Sequence, residues 1–170
     1  MEYLITYGVA IFIILIVLVV LIPQLQSMTR SPGSCIFDNP GFSCSNPAPA
    51  LSVDTLGKVS SSVRLHNQNR DDITLVATLC TTAPPSQVSI SMAQPVAAGA
   101  DRIAAGSFAD LKSIPCKKVE SGSASDLQLT KGSDFRGSLI VWYHFGQEIA
   151  GAPPRTATAS MSGSVLEQVS

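Results

Sequence analysis

The run GSLIVWYHF, Gly137–Phe145, is apolar on both sides of a two-residue repeat. Leu139, Val141, Tyr143 and Phe145 form one face, and Ile140 and Trp142 form the other. Successive side chains of a strand point to opposite faces, so a strand of this composition needs cover on both sides. It belongs at the centre of a sheet. Trp142, the only tryptophan, is read as an anchor of the core, because a large aromatic side chain contributes most when buried. The competing reading makes it an exposed stacking residue on a binding face.

Outward from this run the same period recurs. Val59, Ser61, Val63 and Leu65 alternate with Ser60, Ser62, Arg64 and His66. Ile73, Leu75, Ala77 and Leu79 repeat the pattern, followed by Val88, Ile90 and Met92, and a weaker strand is expected at Ala157, Ala159 and Met161. Short alternating runs separated by turn residues, such as the polar stretch Asn67–Asp72, predict an antiparallel sandwich. Within this head, residues 51–170, Arg102–Lys112 is the one stretch that could form a turn or two of helix.

Residues 30–50 read as a linker crowded with Pro, Gly, Asn and Ser, and they hold Cys35 and Cys44. Four cysteines allow three pairings. The expected one is Cys35–Cys44, closing a short Pro/Gly-rich loop, with Cys80–Cys116 inside the β-rich region. Four buried free thiols are the alternative. An even count in a chain that looks exported favours disulfides.

Residues 1–29 are of another kind. Tyr3–Ile22 is broken only by Thr6 and Gly8, and Ile11–Ile22 is apolar without interruption. A run of about 20 such residues is long enough to cross a bilayer core as a helix. The helix has no wet face, so it must lie in lipid, in the core of a polymer, or first in one and then in the other. Pro23 is expected to end or kink it. No charged n-region and no small-x-small cleavage site mark it as a conventional signal peptide. A basic leader removed from in front of the helix would account for the missing flank, as would a signal anchor of weakly set orientation. Glu2 either caps the helix dipole or pairs with the α-amino group of a neighbouring chain.

Chemistry-bearing motifs are scarce. Net charge is −1 and charged residues are 14% of the 170, which gives no footprint for nucleic acid. The cysteine spacing fits neither zinc nor haem, His66 and His144 stand apart, and Asp71 and Asp72 lack the frame of a calcium loop. No serine lies in a nucleophile elbow, Lys117 and Lys118 are a lone basic pair, and no N-glycosylation sequon occurs. The expectation is a protein that is not an enzyme and that carries no cofactor or metal.

The opening MEYLITYGVAIFIILIVLVV, Met1–Val20, resembles the N-terminal helix of archaeal type IV pilin-like proteins, which often read M-E-Y-L-x-T-Y-G-W-A-I. Val9 stands where Trp is common, and Glu2 is second where the family glutamate is fifth in the mature chain. PGFSCSNPAPALS, Pro40–Ser52, and the Gly137–Phe145 run extend the resemblance more loosely. The resemblance, with the strand count, implies a long hydrophobic helix followed by an immunoglobulin-like sandwich, an α+β chain. It implies a leader cut by a prepilin peptidase, a membrane-anchored stage, and assembly into a homopolymeric extracellular filament serving adhesion or surface attachment. The assembly residues would be Glu2, Tyr3, Tyr7, Gly8, Ala10 and Pro23. The alternatives are a subunit of a motility filament or secretion pseudopilus, and a monomeric membrane-anchored binding domain.

Overall fold

The computed structural model describes residues 2–28, 33–97, 101–120, 122–148 and 151–167, with side chains placed except at 2–6, 22–28 and 167. It divides into two compact units, Met1–Arg30 and Ser31–Ser170.

The first unit holds helix α1, Glu2–Met28. Ile and Val dominate its middle, and in water they are weaker helix formers than Ala or Leu by tenths of a kcal/mol each. The helix does not end at Pro23 but runs on to Met28. Among the described residues no helix is long and apolar enough to cross a membrane. The expected transmembrane span, and with it a fold class defined by such a helix, is corrected on that ground.

The second unit is almost wholly β. Its strands are β1 Ser34–Phe37, β2 Phe42–Cys44, β3 Ala50–Val53, β4 Val59–Asn67 and β5 Ile73–Thr81. There follow β6 Gln94–Pro95, β7 Arg102–Ile103, β8 Phe108–Glu120, β9 Ser123–Asp126, β10 Asp134–Phe145 and β11 Arg155–Glu167. Six of these pair in the order β4-β3-β11-β10-β5-β8, and β8 pairs back onto β4. The head is therefore a closed six-stranded barrel and not an immunoglobulin-like sandwich.

Two long strands turn the corners. β8 is paired with β4 over Phe108–Pro115 and with β5 at Cys116 and Lys117. β11 is paired with β10 from Arg155 to Ser164 and with β3 from Val165 to Glu167. The bend in β8 coincides with a register shift between Ser61 and Val63 and with Ser113 at φ 55°. Such a bulge increases twist locally and lets one strand serve two sheets. Closure leaves no long edge, whereas a sandwich keeps several.

The barrel interior is filled by Leu65, Ile73, Phe135, Leu139, Val141 and Val165, all fully buried. β4 alternates strictly between buried and half-buried positions, as its sequence predicts. At its end the buried Asn67 donates from Nδ2 to the carbonyls of Asp71, Ile103 and Ala104, and its Oδ1 accepts from the Asn69 amide. One side chain thus ties two loops to the barrel rim. Gly137 faces the Thr81 carbonyl and the Phe135 ring so closely that a Cβ there has no room.

Several expectations change at the level of single elements. Residues 30–50 are not a separate linker, since β1 pairs with β11 and β2 with β4. Arg102–Lys112 is not helical: it is β7, a turn with Gly106 at φ 70°, and the start of β8. Val88, Ile90 and Met92 form no strand. Pro84 and Pro85 remove backbone donors there, and the chain makes 3-10 turns at Pro85–Gln87 and Ile90–Met92. This strap lies on the outside of the barrel, with Val88, Met92 and Ala93 packed over Ala77, Leu79, Ile140 and Trp142. Trp142 is buried, 6% exposed, but beneath the strap and not in the barrel interior.

Both expected disulfides form, Cys35–Cys44 and Cys80–Cys116. The second joins β5 to β8 at a parallel ladder only two residue pairs long. Replacing Cys80 and Cys116 together with alanine should cost about 3–4 kcal/mol, because the bond closes a loop with a sequence separation of 36. The equivalent Cys35/Cys44 variant, with a separation of 9, should lose about 1 kcal/mol less. Urea denaturation of the full chain checks the order, and equal losses would refute it.

Candidate assembly surface

An α-helix turns about 100° per residue, so Tyr7–Leu21 presents side chains in every direction around the axis of α1. All of them are exposed, from Tyr7 at 72% to Leu21 at 44%. A helix that packs on one side of a domain concentrates its apolar residues in a stripe. Over Tyr7–Leu21 this one has no polar stripe and no covered face. Covering the large apolar side chains between Val9 and Leu21 would contribute on the order of 10–20 kcal/mol, taking each as already half shielded by its helical neighbours.

Of the six residues expected to govern assembly, Tyr7, Gly8 and Ala10 fall among those with described side chains. The side chains of Glu2, Tyr3 and Pro23 lie outside the described residues. A Cβ added at Gly8 meets nothing within 4 Å, so that position is open to close approach by another backbone. Gly8 and Ala10 are two residues apart, about 200° around the helix, so they lie on opposite sides of it.

The barrel surface is organised by ion pairs that span its loops. Arg64 on β4 donates from Nε and Nη2 to both carboxylate oxygens of Asp110 on β8, at 2.6 and 3.0 Å, and lies 4.6 Å over the Phe108 ring. Lys58 meets Asp126 at 2.8 Å, and Arg102 meets Asp72 at 2.8 Å. Glu148 receives Arg155 Nε at 2.6 Å and the Phe145 amide at 3.1 Å, and stands 3.3 Å from His144 Nδ1. His144 therefore has a carboxylate neighbour that its strand pattern does not reveal, because a turn brings Glu148 back onto it. His66 lies apart, with Nε2 3.0 Å from the Gly106 carbonyl oxygen. Arg64 was legible as outward-facing, but its partner sits in the stretch read as possible helix.

These contacts set the direction of each titration. The Arg64 guanidinium holds Asp110 below the usual carboxylate range, and Lys58 does the same for Asp126. Asp72 is lowered first by the Ala105 amide and then by Arg102, and Glu148 first by Arg155. Burial raises Tyr143. Among the described residues no group of three or more His, Cys, Asp or Glu could hold a metal ion. Asp72 is turned to Arg102, 2.8 Å away, and accepts from the Ala105 amide at 3.0 Å.

No family model, curated protein or solved structure matches the chain, so nothing among known proteins identifies it as a type IV pilin.

A carboxylate whose folded pKa is depressed contributes stability that is fully present above its unfolded pKa and is lost as pH falls through the folded value. Asp72, Asp110, Asp126 and Glu148 are all of this kind. The thermal midpoint of the barrel should hold near neutrality and fall once the pH drops below about 4. Arg155→Met, which removes the largest cause acting on Glu148, should make that acid loss smaller. Circular dichroism melts at neutral and acid pH decide it; an unchanged acid loss in the variant contradicts this account.

Proposed function

We propose that the chain is a structural subunit of an extracellular filament of the archaeal type IV pilus kind. In this reading α1 is buried among the α1 helices of neighbouring copies, and the disulfide-stapled barrel supplies the solvent-facing body. The observation that carries it is a helix apolar on every face and exposed from Tyr7 to Leu21, on a chain whose other unit is a closed barrel. One flat partner would cover only one side of such a helix. A ring of like helices covers all sides, and small residues at Gly8 and Ala10 on opposite sides suit more than one neighbour. The resemblance of Met1–Val20 to archaeal pilin helices supports the same reading and brings with it a prepilin peptidase and an assembly machinery as partners. Adhesion or surface attachment is the role that follows from such a filament.

Electron microscopy of the purified full chain should show fibres of uniform width. Ile14→Asp, which places a carboxylate in the dry core, should abolish them while the far-ultraviolet spectrum of the barrel is kept. Discrete particles without fibres from the wild-type chain, or normal fibres from the variant, would overturn the proposal.

A further inference from the structure

The backbone ladder of α1 has one gap. Proline has no N–H, so Pro23, inside the helix Glu2–Met28, donates nothing to the carbonyl four residues back, that of Val19. Val19 is 70% exposed, and no other described element covers that turn of the helix. In water such an oxygen is hydrated. In the dry core of a filament it is an acceptor without a donor, and a backbone carbonyl left so is costly.

The same stretch holds one side-chain polar atom. From Tyr7 to Leu21 every side chain is hydrocarbon except for the Tyr7 hydroxyl. Tyr7 and Val19 are the two most exposed large side chains of that stretch. A tyrosine hydroxyl taken out of water needs a partner as much as the carbonyl does. The carbonyls beside Tyr7 already accept from amides four residues on, whereas that of Val19 does not. Each chain thus presents one donor and one unserved acceptor on a surface that is otherwise apolar.

We infer that the Tyr7 hydroxyl of one copy donates to the Val19 carbonyl of a neighbouring copy and so sets the stagger between adjacent α1 helices. The inference rests on the proposed filament, and the partner is a second copy of this chain. The two groups are 12 residues apart, so parallel helices joined this way are offset by about 18 Å along the axis. They also lie about 120° apart around it. An antiparallel pair could exchange two such bonds only if both groups faced the same partner, and at this angle they do not. The contact is therefore unlike on its two sides, leaves a donor and an acceptor for further copies, and propagates as an open polymer. Helix packing supplies the attraction, and the hydrogen bond selects one offset among apolar surfaces that could otherwise slide.

Fibres of the full chain, equilibrated at a fixed concentration of mild detergent and then pelleted, give the concentration of unassembled subunit. Tyr7→Phe leaves the Val19 carbonyl unpaired and should raise that concentration roughly tenfold. In a Pro23→Ala background an alanine amide serves that carbonyl, so the same Tyr7→Phe change should raise it by no more than about twofold. Tyr7→Phe chains that assemble only when combined with Pro23→Ala would be the strongest form of this result. An equal rise in both backgrounds, or none in either, would overturn the inference. Helical reconstruction of wild-type fibres by electron cryo-microscopy should place Tyr7 level with Val19 of a neighbour. Any other offset would overturn the inference and leave the filament intact, whereas a wild-type chain that forms no fibres would remove both.

Discussion

The join between β5 and β8 is the constraint on which the barrel depends. Every other neighbouring pair in the ring has at least three paired residues, whereas this one is a parallel ladder of Cys80 with Cys116 and Thr81 with Lys117. Parallel pairs are slightly weaker per residue than antiparallel ones, so two pairs alone would be a poor seam. The covalent bond at that point, between two fully buried sulfurs, holds what the ladder cannot. Once β8 is fixed there, its upstream half lies against β4 and the ring is complete. Arg64 and Asp110, one on each of those strands, then come within bonding distance.

The second consequence of closure concerns the outer surface. A closed barrel needs apolar side chains on one face of each strand only, yet β5 and β10 are apolar on both. The bulge that sets Tyr143 opposite Leu75 and Trp142 opposite Ala77 leaves Val76 unpaired and puts Ala77, Leu79, Ile140 and Trp142 outside. The strap exists to cover them. Its end pairs back on β5 at Thr78 and Ala77, so the loop that leaves that strand returns to its edge.

Much of this was legible in the sequence, and what was not has physical causes. The alternation in β4 and the two-faced character of Gly137–Phe145 correctly gave strands, and β10 does lie between β5 and β11. The cysteine pairing was legible from loop length and context. Corner-turning was not: a strand that bends at Ser113 to serve two sheets has the same two-residue period as one that does not. Period also failed at Val88–Met92, where three alternating apolar residues mark one buried and one exposed side of a 3-10 strap. Around Arg102, alanines imitated helix composition while Gly106 was supplying a turn. For the candidate assembly surface, the apolar run was plain from its residues, although among the described residues no helix is long and apolar enough to cross a membrane.

Apolarity on both faces of Gly137–Phe145 places the run at the centre of a sheet, with cover on both sides. The structure shows that the same pattern arises when one face looks into a barrel and the other lies under a loop. The two cases bury side chains equally well, so burial alone does not separate them; Trp142 is as hidden under the strap as it would be in a sandwich. What separates them is the cover. A second sheet would bring its own alternating strand, whereas a loop needs only a few apolar contacts and is free to turn its remaining side chains outward. The neutral composition from Ile73 to Ala100 follows from neither requirement, since a loop that merely covers Trp142 could carry charge on its far side.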